Sequence, residues 1–424
     1  MLFGTLRFIS KGWVAELYIN PKFHFTYLGF DWVKPLSGNW MYLPFVLLVF
    51  ACVGIILGAF YRLSTFAFFL LFTYIELLDK SYYLNHYYFV SLIGFLLIFL
   101  PANRFFSVDS LRNPAISSVK THAWTIWILK FQLGCVYFFA GVAKLNSDWL
   151  FDAQPLKIWL QAYRDLPYLG WIFASTFTAF AFSWFGCIYD LTIPFFLSSS
   201  KTRNYAYFFV IVFHLVTWIL FPIGVFPWVM IFSTLIFFSA KFHENILLFL
   251  SKLLKIKQVS STFVQNYKSK MIVILLSIYI FLQVVIPFRY LLYDGNLFWS
   301  EEGMRFSWRV MLMHKEGFST FYVKDKKTKG EIEIDNTKFL TNTQIDQMST
   351  QPDFILQYAN FLKNRFSDTL LVFGKNSFHL KNPSIHVESF VSLNGRPHKL
   401  FIDKKLDLTL IKNNLGNRTW LEKY

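Results

Sequence analysis

Long apolar runs dominate the chain, and they restrict it to one kind of fold. A helix needs about 20 mostly apolar residues to cross a bilayer. Eight stretches read as such segments: 41–61, 64–79, 86–100, 122–143, 171–197, 204–220, 224–240 and 271–292, the second and third being short. Within lipid a spanning segment must satisfy its own backbone, so these runs are expected to be helices. Charged residues make up only 16% of the 424, against roughly a quarter in a soluble domain. The expected fold is a polytopic α-helical membrane protein of about eight transmembrane helices. Residues 1–40 read as an interfacial segment, with Met1–Trp13 too short to span unless it is the tail of a truncated first helix.

The loops sort by charge. Those after the first, third, fifth and seventh segments carry Arg62, Arg104, Arg112, Lys120, Lys201, Arg203 and several lysines of 241–270, opposed only by Asp109 and Glu244. The other loops nearly balance. Basic loops mark the cytoplasmic side, so the "DKSYYLNH" loop, the loop after Lys144, the "FPIG" turn and the C-terminal region are expected to face outward. The formal net charge of +16 fits basic loops meeting anionic headgroups. No motif accompanies it that would suggest nucleic acid. The Lys- and Ser-rich stretch 252–270 reads as a cytoplasmic loop. Residues 293–424 change character. "FSTFYVKD", "GEIEID" and "HVESFVSLNGRPHKLFID" alternate as strands do, and "DQMSTQPDFILQYANFLKNRF" reads as one helix. An α/β or β-rich extramembrane module is expected there, beyond a transmembrane bundle at 41–292.

Ionisable groups within spans are costly and demand explanation. Here they are Glu76, Lys130, Asp190 and His214, with Asp79, His86 and Lys144 at the edges. Lys144 has two readings: a lysine reaching from a helix end to the headgroups, or a desolvated amine able to accept a proton. The small residues of "AGVAK" would let another helix or a flat ligand approach closely. His86, beside Asn85, is either a packed interfacial histidine or a proton donor or acceptor. Asp190 and Lys130 both lie centrally in their spans and are expected to pair. Arg104 and Asp109 are expected to fix loop conformation. Trp308 and His314 either line an entrance or pack the module. The three cysteines lack metal spacing, and no HxxxH or CxxC pair occurs in the spans, so no metal is expected. The absence of a P-loop, a GxGxxG turn and a GxSxG elbow argues against ATP or NAD chemistry.

Several blocks resemble a known family. They are "YRLS" (61–64), "LLDKSYYLNHYYF" (77–89), "PANRFFSVDSL" (101–111), "VYFFAGVAKLNSDW" (136–149) and "RFSWRVMLMH" (305–314). Together they are similar to the vitamin K-dependent gamma-glutamyl carboxylases and to bacterial relatives sharing the horizontally transferred transmembrane domain. The resemblance covers roughly 15–315 and is weak over the last 110 residues. It implies an integral membrane enzyme that oxidises reduced vitamin K, or a menaquinol, with O2 to the epoxide. The energy released drives removal of a peptide glutamate γ proton, and CO2 then adds. Metal, biotin and ATP are not used.

In that pattern Lys144 is the base toward the quinol and His86, with Asn85, supports the chemistry. His214 and Tyr137 are cofactor-binding candidates, and Trp308 and His314 lie in a block tied to glutamate binding. The implied partners are a glutamate-containing peptide or protein and the bilayer. The implied location is a bacterial inner membrane, with the site on its extracytoplasmic face. The chain departs from the animal enzymes in its N-terminal start, in a shorter lumenal region, and in "AKL" where they have "KKL". A quinol epoxidase without carboxylation and a lipid or small-molecule transporter stay open as alternatives.

Overall fold

Six helices are long and apolar enough to cross a membrane in the computed structural model, which describes residues 1–253, 270–326, 330–373 and 376–424. Most of the stretch 252–270 lies outside the described residues. A short helix, α1 (Leu2–Ser10), precedes the bundle and lays Phe8 against Phe45, the ring centroids 5.4 Å apart. The spanning helices are α2 (Tyr42–Leu57, with a preceding turn from Gly38), α3 (Tyr61–Leu78), α5 (Ala123–Ala143), α6 (Thr176–Ser198), α7 (Arg203–Leu220) and α10 (Lys270–Val285, continued by a 3-10 turn to Leu292). Between them α4 (Asn85–Phe99) is apolar but only 15 residues long. The chain is an integral membrane protein.

The run 224–240 does not form the straight span expected of it. Helix α8 (Phe226–Thr234) and a 3-10 turn end at Phe237, and α9 (Ala240–Leu253) leaves at 111°. Phe238 is extended, and the Ser239 hydroxyl accepts the Phe242 amide, as an N-cap does. A local cap thus overrides continuous apolarity, and the pair forms one broken span or a re-entrant turn.

Arg104 and Asp109 fix their loop as expected. The Asp109 carboxylate accepts the amides of Phe60 and Tyr61 at 2.8 and 2.9 Å, and Arg104 donates to the Ile116 carbonyl.

Helices α5 and α6 run antiparallel in close contact. A Cβ on Gly141 would lie 2.7 Å from the backbone nitrogen of Leu191, and one on Gly134 would touch Pro194. These two contacts set the register of the pair, and it follows that the C-terminal end of α5 faces Asp190.

The C-terminal module is an antiparallel sheet in the order β2–β1–β5–β6, from β1 (Lys315–Lys324), β2 (Glu331–Ile334), β5 (Ser384–Leu393) and β6 (Lys399–Ile402). A separate hairpin joins β3 (Thr369–Phe373) and β4 (Asn376–Leu380). The expected single helix is two, α11 (Asn342–Thr350) and α12 (Pro352–Phe366). Proline disfavours helical geometry in the residue before it, and Gln351 is accordingly extended, at φ −115° and ψ 119°.

Phe321, Val323, Phe354, Tyr358 and Val387 form the module's core, which continues without a break into Phe25, Trp149 and Ala179 of the bundle side. Buried charge pins the two together. Asp353 accepts Lys80 at 2.6 Å and Arg305 at 2.9 Å. Asp79 accepts Ser81 and, from the module, Gln344 at 2.8 Å.

Replacing Gly141 by Ala should lower the thermal unfolding midpoint in detergent by the equivalent of about 1–3 kcal/mol, the usual effect of overpacking. An unchanged midpoint would show that the two helices part freely.

Burial raises the Asp353 carboxyl, but Arg305, Lys80 and Arg418 outweigh it and hold the group well below the usual carboxylate range. Its stabilising effect is therefore complete above the unfolded value, near pH 4, and is lost as pH falls through the folded value. Asp353→Asn should lower the midpoint at pH 7 and flatten its decline below about pH 4. Parallel acid profiles for the two proteins would refute this.

Candidate functional site

The end of α5 turns because the next residues cap a new helix. Asn146 accepts the Trp149 amide at 3.0 Å and donates its own amide to the Ala143 carbonyl at 3.0 Å. Trp149 is locked in return. Its indole donates to the Ser183 carbonyl at 2.8 Å, and the Ser183 hydroxyl donates to the Trp149 carbonyl. Lys144, at the C-cap of α5, is thereby held with its Nζ 5.3 Å from the Trp149 ring centroid.

Lys144 does not reach for headgroups. It is 7% exposed, and its Nζ lies 2.6 Å from Oδ2 of the equally buried Asp190. The expected Lys130–Asp190 pair is absent. Lys130 sits farther back on α5, against the rings of Trp127 and Phe237. Depth in the membrane suggested the wrong partner; the antiparallel register supplies the right one. Removing one member of a buried pair leaves an uncompensated charge, which is far costlier than losing an exposed one.

A second polar pair lies on the same face. Tyr137, Ala140 and Lys144 fall at i, i+3 and i+7 of α5, which places Tyr137 about 10 Å from Lys144 along the axis. The Tyr137 hydroxyl is 3.0 Å from His214 Nε2 and 3.4 Å from the Thr234 hydroxyl. His214 is buried, and its Nδ1 has no hydrogen-bond partner among the described residues. Both pairs border one cavity of about 790 Å³, counted to include its open mouth. The remaining wall is largely apolar and aromatic, with Trp149, Trp159, Phe182, Phe213, Phe221 and Phe226. Such a space admits a flat lipophilic molecule with polar groups at its two ends.

The other candidates from the sequence stand behind this wall. Asn85 donates to the Arg309 carbonyl at 2.9 Å and accepts the Tyr83 hydroxyl. His86 packs on Phe226, 5.5 Å between centroids, and Phe226 contacts His214 from the cavity side at 5.7 Å. Trp308 is fully buried and stacked on Tyr88. His314 Nδ1 accepts the Trp159 indole N–H at 3.2 Å, so it sets a wall residue without lining the cavity itself. From that block Val310 and Met311 line the cavity. Phe306, Trp308 and Met311 have φ of 60°, 59° and 51°, a left-handed geometry unusual for bulky side chains. Glu76 borders a different cavity, with Glu16 and Tyr18.

Sequence reasoning missed the clamp between this loop and the module. Asp148 accepts from both terminal guanidinium nitrogens of Arg396, at 2.8 and 2.6 Å, and from the Asn394 side-chain amide at 2.6 Å. Arg396 and Asn394 belong to the "LNGRP" turn joining β5 and β6, where Asn394 and Gly395 have positive φ. A bidentate pair of this kind fixes direction as well as distance.

Two family models match the chain. Residues 1–242 match the HTTM domain, and residues 268–424 match the vitamin K-dependent gamma-carboxylase lumenal domain. The second match runs through the last 110 residues, where the resemblance read from sequence blocks was weak. No solved structure matches the chain.

Proposed function

The chain belongs to the vitamin K-dependent gamma-carboxylase family, and we propose that it couples oxidation of a membrane quinol by O2 to carboxylation of peptide glutamate. The observation that carries this reading is the buried Lys144–Asp190 pair on the wall of an aromatic cavity that also holds Tyr137 and His214. A quinol suits that cavity. Apolar walls would hold its ring, the Lys144–Asp190 pair would receive one hydroxyl, and the Tyr137–His214 end, where Nδ1 lacks a partner among the described residues, would receive the other. When bound and oxidised, the quinol supplies the driving force to remove a glutamate γ proton, which no side-chain base could take alone.

The chain's own contribution is proton handling in a dry space. As an ion pair, Lys144 and Asp190 hold one proton and have room for two. A proton arriving from a hydroxyl would be taken up by the pair at the Asp190 carboxylate, since the ammonium nitrogen of Lys144 has no lone pair left to accept one. With Asp190 neutralised, the Lys144 ammonium would no longer be held by a carboxylate and would supply positive charge to the cavity wall. The expected free amine is thus replaced by a paired one, and Asp190 is the proposed proton acceptor. Tyr137, held by its hydrogen bond to His214, would orient the second hydroxyl. Asn85 and His86 act by support, Asn85 holding the Arg309 carbonyl and His86 backing Phe226.

The peptide glutamate is proposed to approach past Val310 and Met311, beside Trp159 and its partner His314. Trp308 buttresses this segment from behind. The loop of 79–86, the loop after Lys144, the "FPIG" turn and the module meet at one end of the bundle. Loop charge supports an extracytoplasmic placement of that end, and a bacterial inner membrane is the location that the resemblance implies.

The test uses nanodiscs with reduced vitamin K or menaquinol, O2, labelled bicarbonate and a glutamate peptide. Label in the peptide together with quinone epoxide is expected. Lys144→Ala and Asp190→Asn should each lower both products by about 10²-fold or more, the usual contribution of a positioned acid–base group. Epoxide without label would leave an epoxidase, and neither product would refute an enzymatic role.

A further inference from the structure

A second cavity, of about 1030 Å³ counted to include its open mouth, lies where the last span meets the module. We propose that it binds the anionic headgroup of a membrane lipid. The proposal does not depend on the carboxylase reading.

The wall carries more positive charge than it can neutralise. Lys80, Arg305 and Arg418 surround a single carboxylate, Asp353, at 2.6, 2.9 and 3.9 Å. Glu301 is taken by Lys315 at 2.8 Å, and Glu302 accepts the Arg418 backbone amide at 2.8 Å. Arg289 has no carboxylate partner among the described residues; its guanidinium donates only to the carbonyls of Ile286 and Arg305. Beyond the Glu301–Lys315 pair, four cations therefore face two carboxylates. Burial pushes the Lys80 amine down to about 8 in spite of its contact with Asp353, with Arg305 and Arg418 adding to the fall. One buried cation and three half-buried ones, in excess of their carboxylate partners, favour a bound anion.

The rim points to an amphiphile as the carrier of that anion. Leu28 and Phe30 line the mouth and are 44% and 40% exposed. Leu291 and Leu292, next to the lining residues Arg289 and Tyr293, are 68% and 78% exposed. Tyr27 and Tyr293 add the amphipathic rings typical of a membrane–water boundary. A cationic floor beside an apolar, lipid-facing rim matches a phosphate with acyl chains attached. A soluble acidic peptide would leave that rim uncovered.

The full chain, delipidated in detergent, is titrated with phosphatidylglycerol, phosphatidylcholine, inorganic phosphate, glycerol phosphate and a glutamate-rich peptide. Binding is read by native mass spectrometry and by the unfolding midpoint. Phosphatidylglycerol should bind and raise the midpoint, while phosphatidylcholine at equal concentration should not. Arg289→Gln should weaken phosphatidylglycerol binding about five-fold, the effect of one basic residue at an anionic surface, and Arg289→Lys should restore most of it. Equal binding of the two lipids, or unchanged binding in Arg289→Gln, overturns the proposal. If inorganic phosphate or glycerol phosphate binds as tightly as the lipid, the site belongs to a soluble phosphate. If the peptide displaces the lipid, it belongs to a polypeptide. Wild-type discrimination between the lipids is decisive even where a variant does not fold.

Discussion

The close antiparallel contact of α5 and α6 is the constraint on which the rest of the site depends. Glycine at 141 lets the two backbones approach until a Cβ would strike Leu191. That approach alone puts Lys144, at the cap of one helix, within 2.6 Å of Asp190, inside the other. Neither charge could stay in an apolar bundle without its partner. Geometry and electrostatics reinforce one another here: the helices meet because the residues between them are small, and their charges tolerate burial because the helices meet.

The same logic extends outward through a short run of sequence. Asn146 stops α5, Trp149 forms a floor under Lys144, and Asp148 clamps the Arg396 turn of the module. One segment of 13 residues therefore reaches both cavity walls and the module, where Tyr137 begins it and Trp149 ends it. The positive-φ residues Phe306, Trp308 and Met311 lie where the chain passes from bundle to module. Such backbone persists only where surroundings over-determine it, and Tyr83, Asn85 and Tyr88 all hold this segment.

Much of this was legible in the sequence, and the failures share a cause. Apolar runs mark helices because lipid allows little else, and alternation marked the strands at 318–325, 330–335 and 386–403. Lys144, Tyr137 and His214 were identified by residue type and block, and they line one cavity. Asp190 was visible as a lone carboxylate in a span, but its partner was not. Depth can be read from a run of residues, whereas register between two helices is set by contacts such as Gly134 with Pro194. The bend after Phe237 and the break at Pro352 depend on a single cap and a single proline. Both signals stand in the sequence, and both were outweighed by the periodicity around them.

The two cavities show how differently charge is managed on either side of the segment 303–311. On the Lys144 side one cation meets one carboxylate and the remaining wall is largely apolar, so the charges there are balanced within the wall itself. On the Arg289 side cations outnumber carboxylates, which is the imbalance that the proposed anionic headgroup would offset. Gly303, Arg305 and Phe306 line one cavity while Val310 and Met311 line the other. The segment 303–311 is thus a shared wall, held by the same left-handed residues on both of its faces.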